Sequence, residues 1–327
     1  MSVTRRTVLA AGPAAAAVTA AGGPVLSQQA ATPPAPAARQ APAIYRYKIG
    51  DFEVTALHEG SVPRAIDDKF VVNAPLADVQ AALEKAFLPK ERITNSFTTL
   101  VVNTGRNLVA IDAGFADNGA PTTGQAYANM RAAGIDPARI DTVLVSHFHG
   151  DHITGLRLKD GTPAYPNAQV MVPQAEWAFW MDDARMNAAP EAGRAGFANA
   201  RRAFEPYGNK IARYEPGKEL VPGITSVDAS GHSPGHTAFT IASGNGRLLV
   251  LSDAANLPAL FVRQPDWSPV FDMDAEKARA TRRRLLDMAA AERMQVAAYH
   301  FPFPATGFIA KAGNGFEFEP VLWSAIL

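Results

Sequence analysis

Residues 146–152 read Ser-His-Phe-His-Gly-Asp-His and hold three of the seven histidines in this 327-residue chain. They end the apolar run "IDTVLVSH" (140–147), which predicts a buried strand with functional residues at its carboxyl end. Neutral imidazole and carboxylate are good ligands for zinc and similar divalent ions. The stretch therefore predicts a metal site at the edge of a sheet.

The spacing within this stretch indicates two metal ions. His147 and His149 are two residues apart and can point the same way from an extended loop, whereas Asp151 and His152 follow Gly150, which permits a sharp turn. Each ion needs about three protein ligands and an open position. More donors must therefore come from elsewhere in the chain.

Three further donors occur where other strands are expected to end or turn. His232 lies in the turn "SGHSPGHT" (230–237), Asp253 follows the apolar run "LLVLS" (248–252), and His300 follows "QVAAY" (295–299). Five of the seven histidines thus lie at strand ends or turns.

Composition excludes several other functions. The chain has no cysteine, which rules out disulfides, thiolate ligands and a cysteine nucleophile. Beyond residue 40 it has 28 basic and 31 acidic residues, so no basic surface favours a nucleic-acid partner.

The first 44 residues are interpreted as an export signal and a linker. Residues 1–32 contain Arg5 and Arg6 ahead of a short run of small apolar residues, typical of twin-arginine export to the periplasm or outside the cell; an ordinary secretion signal is the alternative. Residues 33–44 form a linker rich in Pro and Ala. A single domain, 45–327, follows, with no membrane association once the signal is removed.

The domain is predicted to be α/β, in two similar halves that each place helices over a sheet. The expected helices are 124–134, 174–186 and 274–294. The expected strands are 45–57, 97–104, 107–114, 140–147, 223–230, 238–243, 246–254, 295–300 and 315–323.

These motifs together resemble the metallo-β-lactamase superfamily. His-x-His-x-Asp-His, then Gly-His-x-Pro-Gly-His, then Asp, then His occur in the family's order over 45–327. "YRYKIGDFEVTAL", "VVNTG" and "HFPFPATG" are similar to the methyl parathion hydrolase group, whose relatives include lactonases and aryl esterases. The resemblance implies an αββα four-layer sandwich of two mixed β-sheets with outer helices.

The resemblance also implies a ligand set. One ion would be held by His147, His149 and His232, the other by Asp151, His152 and His300, with Asp253 bridging them. Asp112, in "AIDAG", would support the metal loops from behind. The remaining candidates, His58, Ser233 and His236, are interpreted as structural.

The implied reaction is hydrolysis of an ester, lactone or phosphotriester by a hydroxide that bridges two divalent ions, most simply Zn²⁺, with Mn²⁺, Co²⁺ or Fe as alternatives. Asp253 would position the hydroxide and Asp151 would pass a proton. Two alternatives stay open: an iron-dependent redox member of the superfamily, and a metal-binding protein without activity.

The partners expected are a small-molecule substrate and a second copy of the chain. Alignment with the methyl parathion hydrolase group places Trp180 and Phe197 near the leaving group, although core packing also explains them. Asn256, three residues after Asp253, replaces the tyrosine or apolar residue of better-known groups and is expected to hydrogen-bond a substrate oxygen.

Overall fold

Two seven-stranded sheets form the centre of the fold in the computed structural model, which describes residues 40–327. The predicted export signal and most of the linker lie outside the described residues. Strands follow one another across the first sheet in chain order: β1 (Ile44–Ile49), β2 (Phe52–Ala65), β3 (Arg92–Asn103), β4 (Leu108–Ile111), β5 (Thr142–Leu144), β6 (Gln169–Pro173) and β7 (Ile211–Tyr214).

The second sheet is built in the same way from the second half of the chain. Its strands are β8 (Glu219–Val221), β9 (Ile224–Asp228), β10 (Thr237–Ser243), β11 (Gly246–Ser252), β12 (Gln295–Ala298), β13 (Thr306–Ala312) and β14 (Gly315–Pro320). Both sheets are mixed: β4 to β7 pair in parallel in the first, and β11 pairs in parallel with β12 in the second.

Within residues 40–327, seven α-helices connect these strands. They are α1 (Leu76–Lys85), α2 (Gln125–Ala132), α3 (Gly150–Ile153), α4 (Gln174–Trp180), α5 (Asp183–Ala188), α6 (Glu191–Phe204) and α7 (Ala275–Ala291). Short 3₁₀ turns at 137–139, 154–156 and 205–210 and a π-helical turn at 258–262 complete the described elements. None of the described helices is long and apolar enough to cross a bilayer.

Successive side chains on each strand point to opposite faces of its sheet, and this alternation builds the layers of the sandwich. On β11, Leu248 and Val250 pack between the sheets, while Leu249 and Leu251 pack under α7, as the period of two in a strand requires. The outer face of the first sheet is covered by residues of α2, α4 and α6. The predicted αββα sandwich of two mixed sheets with outer helices is confirmed.

Two of the expected elements are each divided into two in the structure. The strand expected over 45–57 is a hairpin of β1 and β2, because the chain reverses at Gly50, whose φ is +59°. The single helix expected over 174–186 is divided into α4 and α5. Helix α4 ends at Trp180, and Asp182 caps α5, accepting hydrogen bonds from the backbone N–H groups of Ala184 and Arg185.

Candidate metal centre

The site lies where two pairs of parallel strands end at one edge of the sandwich. Asp112 directly follows β4, and His147 lies three residues beyond β5. Asp253 directly follows β11, and His300 lies two residues beyond β12. Parallel neighbours present their carboxyl ends at the same sheet edge, so the two halves of the chain each contribute donors.

The structure brings all seven predicted ligands together in two groups. One group is His147, His149 and His232, and the other is Asp151, His152, Asp253 and His300. Within each group, one donor atom from every residue lies within 4.8 Å of the others. Apart from the partly buried His149 and Asp151, all are buried.

The Asp253 carboxylate lies between the two groups. Its Oδ1 is 3.3 Å from His152 Nε2, and its Oδ2 is 2.9 Å from His300 Nε2. The same Oδ2 is 3.4 Å from Nε2 of His232, in the other group. This is the position that a bridging ligand requires.

Three of the histidine rings are fixed through the nitrogen that points away from the site. His152 Nδ1 lies 2.8 Å from Asp112 Oδ2, and His232 Nδ1 lies 2.9 Å from Asp272 Oδ1. His300 Nδ1 donates to the backbone carbonyl of Ser96 at 3.0 Å. In each ring Nε2 therefore faces the other donors, which is how metal-binding histidines are usually oriented.

Asp112 supports the loop of residues 146–152 from behind. Its Oδ1 accepts the Ser146 N–H at 2.8 Å, and its Oδ2 accepts the Ser146 hydroxyl as well as His152 Nδ1. Ser146 Oγ also lies 3.0 Å from His147 Nδ1. One buried carboxylate thus holds His152 directly and His147 through Ser146.

Three buried ligand atoms of the site form no hydrogen bond among the described residues: His147 Nε2, and His152 Nε2 and Asp253 Oδ1, which lie 3.3 Å apart. A buried polar atom left unpaired costs about 1–3 kcal/mol, and these three converge on one region. Nitrogen and oxygen donors in this arrangement fit a pair of divalent ions.

Burial and neighbouring charges set the protonation of the site. Burial would lower the pKa of His152, but the carboxylates of Asp253, Asp151 and Asp112 raise this pKa well above its usual value. Burial would raise the pKa of Asp253, yet His300 and His152 hold it well below its usual range. Without metal, the histidines and carboxylates neutralise one another, so metal ions and protons compete for the same atoms.

The histidines and serine expected to be structural are placed accordingly. His236 Nδ1 donates to the backbone carbonyl of Ala229, and its Nε2 accepts the Asp253 N–H at 3.0 Å. Burial lowers the pKa of His236 to about 3, which keeps it a neutral acceptor. Ser233 donates to a glutamate described below, and His58 packs edge-on against Phe303, 5.8 Å between ring centroids.

A cleft of about 440 Å³ opens onto the centre. Asn256 lines it, together with Val62, Arg64, Asn95, Phe97, Phe115 and Phe271. Trp180 and Phe197, expected in the pocket wall, are instead buried in the core under α4 and α6. Trp180 Nε1 donates to Glu176, and its ring lies 6.3 Å from that of His149, so Trp180 supports the site from the core, where Phe197 packs against it.

Sequence reasoning missed two buried carboxylates near the site. Glu176 accepts hydrogen bonds from the Phe148 and Gly235 N–H groups, the Ser233 hydroxyl and Trp180 Nε1. It therefore joins the loop of His147 and His149 to that of His232. The available signal was one acid within the otherwise apolar stretch "AEWAFW" (175–180).

The second missed carboxylate is Asp272. Besides His232, it contacts the buried guanidinium of Arg282 at 2.7 Å. It is 40 residues from His232 in the chain, and no local pattern distinguishes it from the other acids around it.

Comparisons with known proteins agree with this geometry. The family model of the metallo-beta-lactamase superfamily matches residues 92–295. AidC, a dizinc quorum-quenching lactonase solved with a product, is 26% identical over 86% of this chain and 99% of its own, with a TM-score of 0.82. AbOPH, a hydrolase in the beta-lactamase superfamily, is 27% identical over 88% of this chain and 100% of its own, with a TM-score of 0.81.

A probable metal-dependent hydrolase from Staphylococcus aureus shares the fold at 21% identity, over 85% of this chain and 100% of its own, with a TM-score of 0.70. Comparison with curated proteins gave no match. The family match covers more than half of the chain and includes six of the seven predicted ligands. The chain belongs to the metallo-beta-lactamase superfamily.

Proposed function

We propose that this chain is an exported hydrolase that uses two divalent metal ions to cleave ester, lactone or phosphotriester bonds. The observation that carries the proposal is the convergence of His147 Nε2, His152 Nε2 and Asp253 Oδ1, all buried and none of them hydrogen-bonded among the described residues. The similarity to the dizinc lactonase AidC and to the hydrolase AbOPH supports the same reaction class.

His147, His149 and His232 would hold one ion and Asp151, His152 and His300 the other, with Asp253 shared. Two bound divalent ions, which we take to be Zn²⁺, polarise a carbonyl or phosphoryl oxygen and make a water-derived nucleophile available near neutral pH. Mn²⁺, Co²⁺ and Fe suit the same donors.

The chain's own residues would orient the substrate and move the proton. Asp151, whose side chain is 21% exposed, faces the cleft and can pass a proton to the leaving group. The Asn256 side-chain oxygen is buried with no partner among the described residues, so this acceptor is free to take a hydrogen bond from a substrate N–H or O–H group. Tyr299 is already engaged, since its hydroxyl donates to the Asp151 carbonyl at 2.6 Å.

Metal removal tests the proposal. Protein purified without added metal should contain about two transition-metal ions per chain and hydrolyse at least one of a lactone, an aryl ester and a phosphotriester. Chelation should abolish this hydrolysis, and returning Zn²⁺ or Mn²⁺ should restore it. Elemental analysis and a hydrolysis panel measure both properties.

Other outcomes would favour the alternatives. One iron per chain with consumption of oxygen would indicate the redox class. Two bound ions with no hydrolysis of any compound would indicate a metal-binding protein without activity. Absence of metal under every loading condition would contradict both the proposal and these alternatives.

The export signal gives a separate prediction. Replacing Arg5 and Arg6 together with Lys should leave uncleaved precursor in the cytoplasm, because the arginine pair is the recognised feature of a twin-arginine signal. Cell fractionation and immunoblotting measure this, with Arg39→Lys in the linker as the control. Unchanged export of the double variant would instead indicate an ordinary secretion signal.

A further inference from the structure

One wall of the cleft is a two-stranded ribbon that extends beyond the rest of the first sheet. β4 pairs only with residues 100–103 of β3, so residues 60–65 of β2 pair with residues 92–97 of β3 alone. Val62 and Arg64 are two residues apart on β2 and therefore share a face. Both line the cleft, as do Asn95 and Phe97 on the neighbouring strand.

Arg64 is held by aromatic rings. Its guanidinium carbon lies 4.1 Å from the ring centroid of Phe271 and 5.6 Å from that of Phe70. The two rings meet edge to face, with their centroids 6.0 Å apart. Cation–π contacts of this kind fix the guanidinium without using its N–H donors.

Those donors have no protein acceptor in the part of the chain that the structure describes. The Arg64 side chain forms no ion pair within 4.0 Å and no hydrogen bond with any described residue. Burial lowers the pKa of Arg64, and the nearby Asp67 carboxylate opposes this only in part. Asp67 Oδ1 is already engaged by the Lys69 N–H. Five N–H donors in a planar fork match a carboxylate.

We propose that Arg64 binds a carboxylate carried by the substrate away from the bond that is cleaved, and so selects acidic substrates with an apolar body. This inference about Arg64 rests on the proposed function. Arg64 is the only Lys or Arg among the described residues that line the cleft, while Phe97 and Phe115, 5.6 Å between ring centroids, offer an apolar surface beside it.

Matched substrates test this inference. Metal-loaded full-length enzyme is assayed with phenyl half-esters of succinic, glutaric and adipic acids. The matched neutral substrates are the same phenyl esters with the free carboxylate converted to a methyl ester. For the half-ester of best-fitting length, Arg64→Gln should lower kcat/KM about 10- to 100-fold, mainly by raising KM. The neutral ester should change less than about threefold, and Arg64→Lys should retain part of the preference.

The control is Arg92→Gln, which removes a positive charge from the same ribbon at an exposed residue outside the cleft. It should leave the ratio between acidic and neutral esters unchanged. Equal effects of Arg64→Gln on both ester types, or no effect on either, would overturn the inference, because a purely structural arginine does not discriminate by substrate charge.

A binding measurement keeps this test independent of turnover. Calorimetric titration of the same proteins with 4-phenylbutyrate and with 4-phenylbutyramide should show the preference for the carboxylate in wild type and its loss in Arg64→Gln. If no lactone, aryl ester or phosphotriester is hydrolysed but this preference is found, the proposed function fails and the Arg64 site stands. If Arg64→Gln binds both compounds like the wild type, the Arg64 site fails.

Discussion

Replacing Asp253 with Ala or Asn should reduce kcat/KM about a thousandfold or more. A bound pair of metal ions supplies several kcal/mol of transition-state stabilisation, and each 1.36 kcal/mol is a factor of ten in rate. Asp253 is the carboxylate that lies within 3.4 Å of ring nitrogens from both donor groups, so its loss disturbs both ions at once. Kinetics together with metal content per chain measure the effect.

The chain should still fold in these variants. The backbone N–H of residue 253, which donates to His236 Nε2, is unaffected by the side chain. Asp253→Asn keeps the side-chain volume, and Asp68→Ala, at an exposed aspartate, serves as the control. Near-normal turnover in Asp253→Ala with intact metal content would show that the two ions do not depend on a shared carboxylate.

The sequence was sufficient to predict most of the donor set because the donors follow strong local signals. The apolar runs before His147, Asp253 and His300 indicate buried strands, and a buried strand that ends in a polar residue places it at a sheet edge. Only three residues of the first run, Thr142–Leu144, are strand. The chain leaves the sheet where the Ser146 N–H turns to the Asp112 carboxylate, a contact 34 residues away in sequence.

Elements without a strong apolar pattern were not predicted. Helix α6, "EAGRAGFANARRAF", is mostly Ala, Gly and Arg, and few of its side chains, among them Phe197 and Phe204, reach the core. Strand β2 continues past Leu57 through a bulge between His58 and Gly60 and then through Pro63. Gly and Pro usually indicate the end of a strand. Tertiary pairing with β3 overrides both signals.

Contacts between separate segments explain why the remaining site residues lie elsewhere than the sequence predicted. Trp180 and Phe197 carry no local mark that separates a pocket wall from a core. The packing of α4 on α6 places both rings in the core, with their centroids 4.9 Å apart. Asp272 likewise acquires its role only when the fold brings it to His232.

Glu176 joins the loop that carries His147 and His149 to the loop that carries His232, and its substitution should have the largest effect on stability. Oε1 accepts from Ser233 Oγ and the Gly235 N–H, both at 2.6 Å. Oε2 accepts from the Phe148 N–H and Trp180 Nε1, both at 2.9 Å. Burial raises the pKa of this carboxyl group, and the four hydrogen bonds oppose that rise.

Glu176→Ala should lower the free energy of unfolding by about 3–5 kcal/mol, because it leaves two buried backbone N–H groups and an indole N–H without acceptors. Glu176→Gln is nearly isosteric, yet either orientation of its amide turns an NH₂ group toward a fixed N–H donor. We expect a loss of about 1–3 kcal/mol for this variant. Urea unfolding of the metal-free protein measures both values.

Measuring the metal affinity of the Glu176 variants shows whether Glu176 positions the ligands or only stabilises the fold. Because Glu176 sets the spacing between the His149 loop and the His232 loop, Glu176→Gln should weaken metal affinity about 10- to 100-fold under conditions where the variant is still folded. Glu317→Gln, at an exposed glutamate on β14, should change neither property. A Glu176→Gln protein that unfolds more easily but binds both ions with unchanged affinity would restrict Glu176 to the core, and the spacing of the two loops would then depend on the strand ends alone.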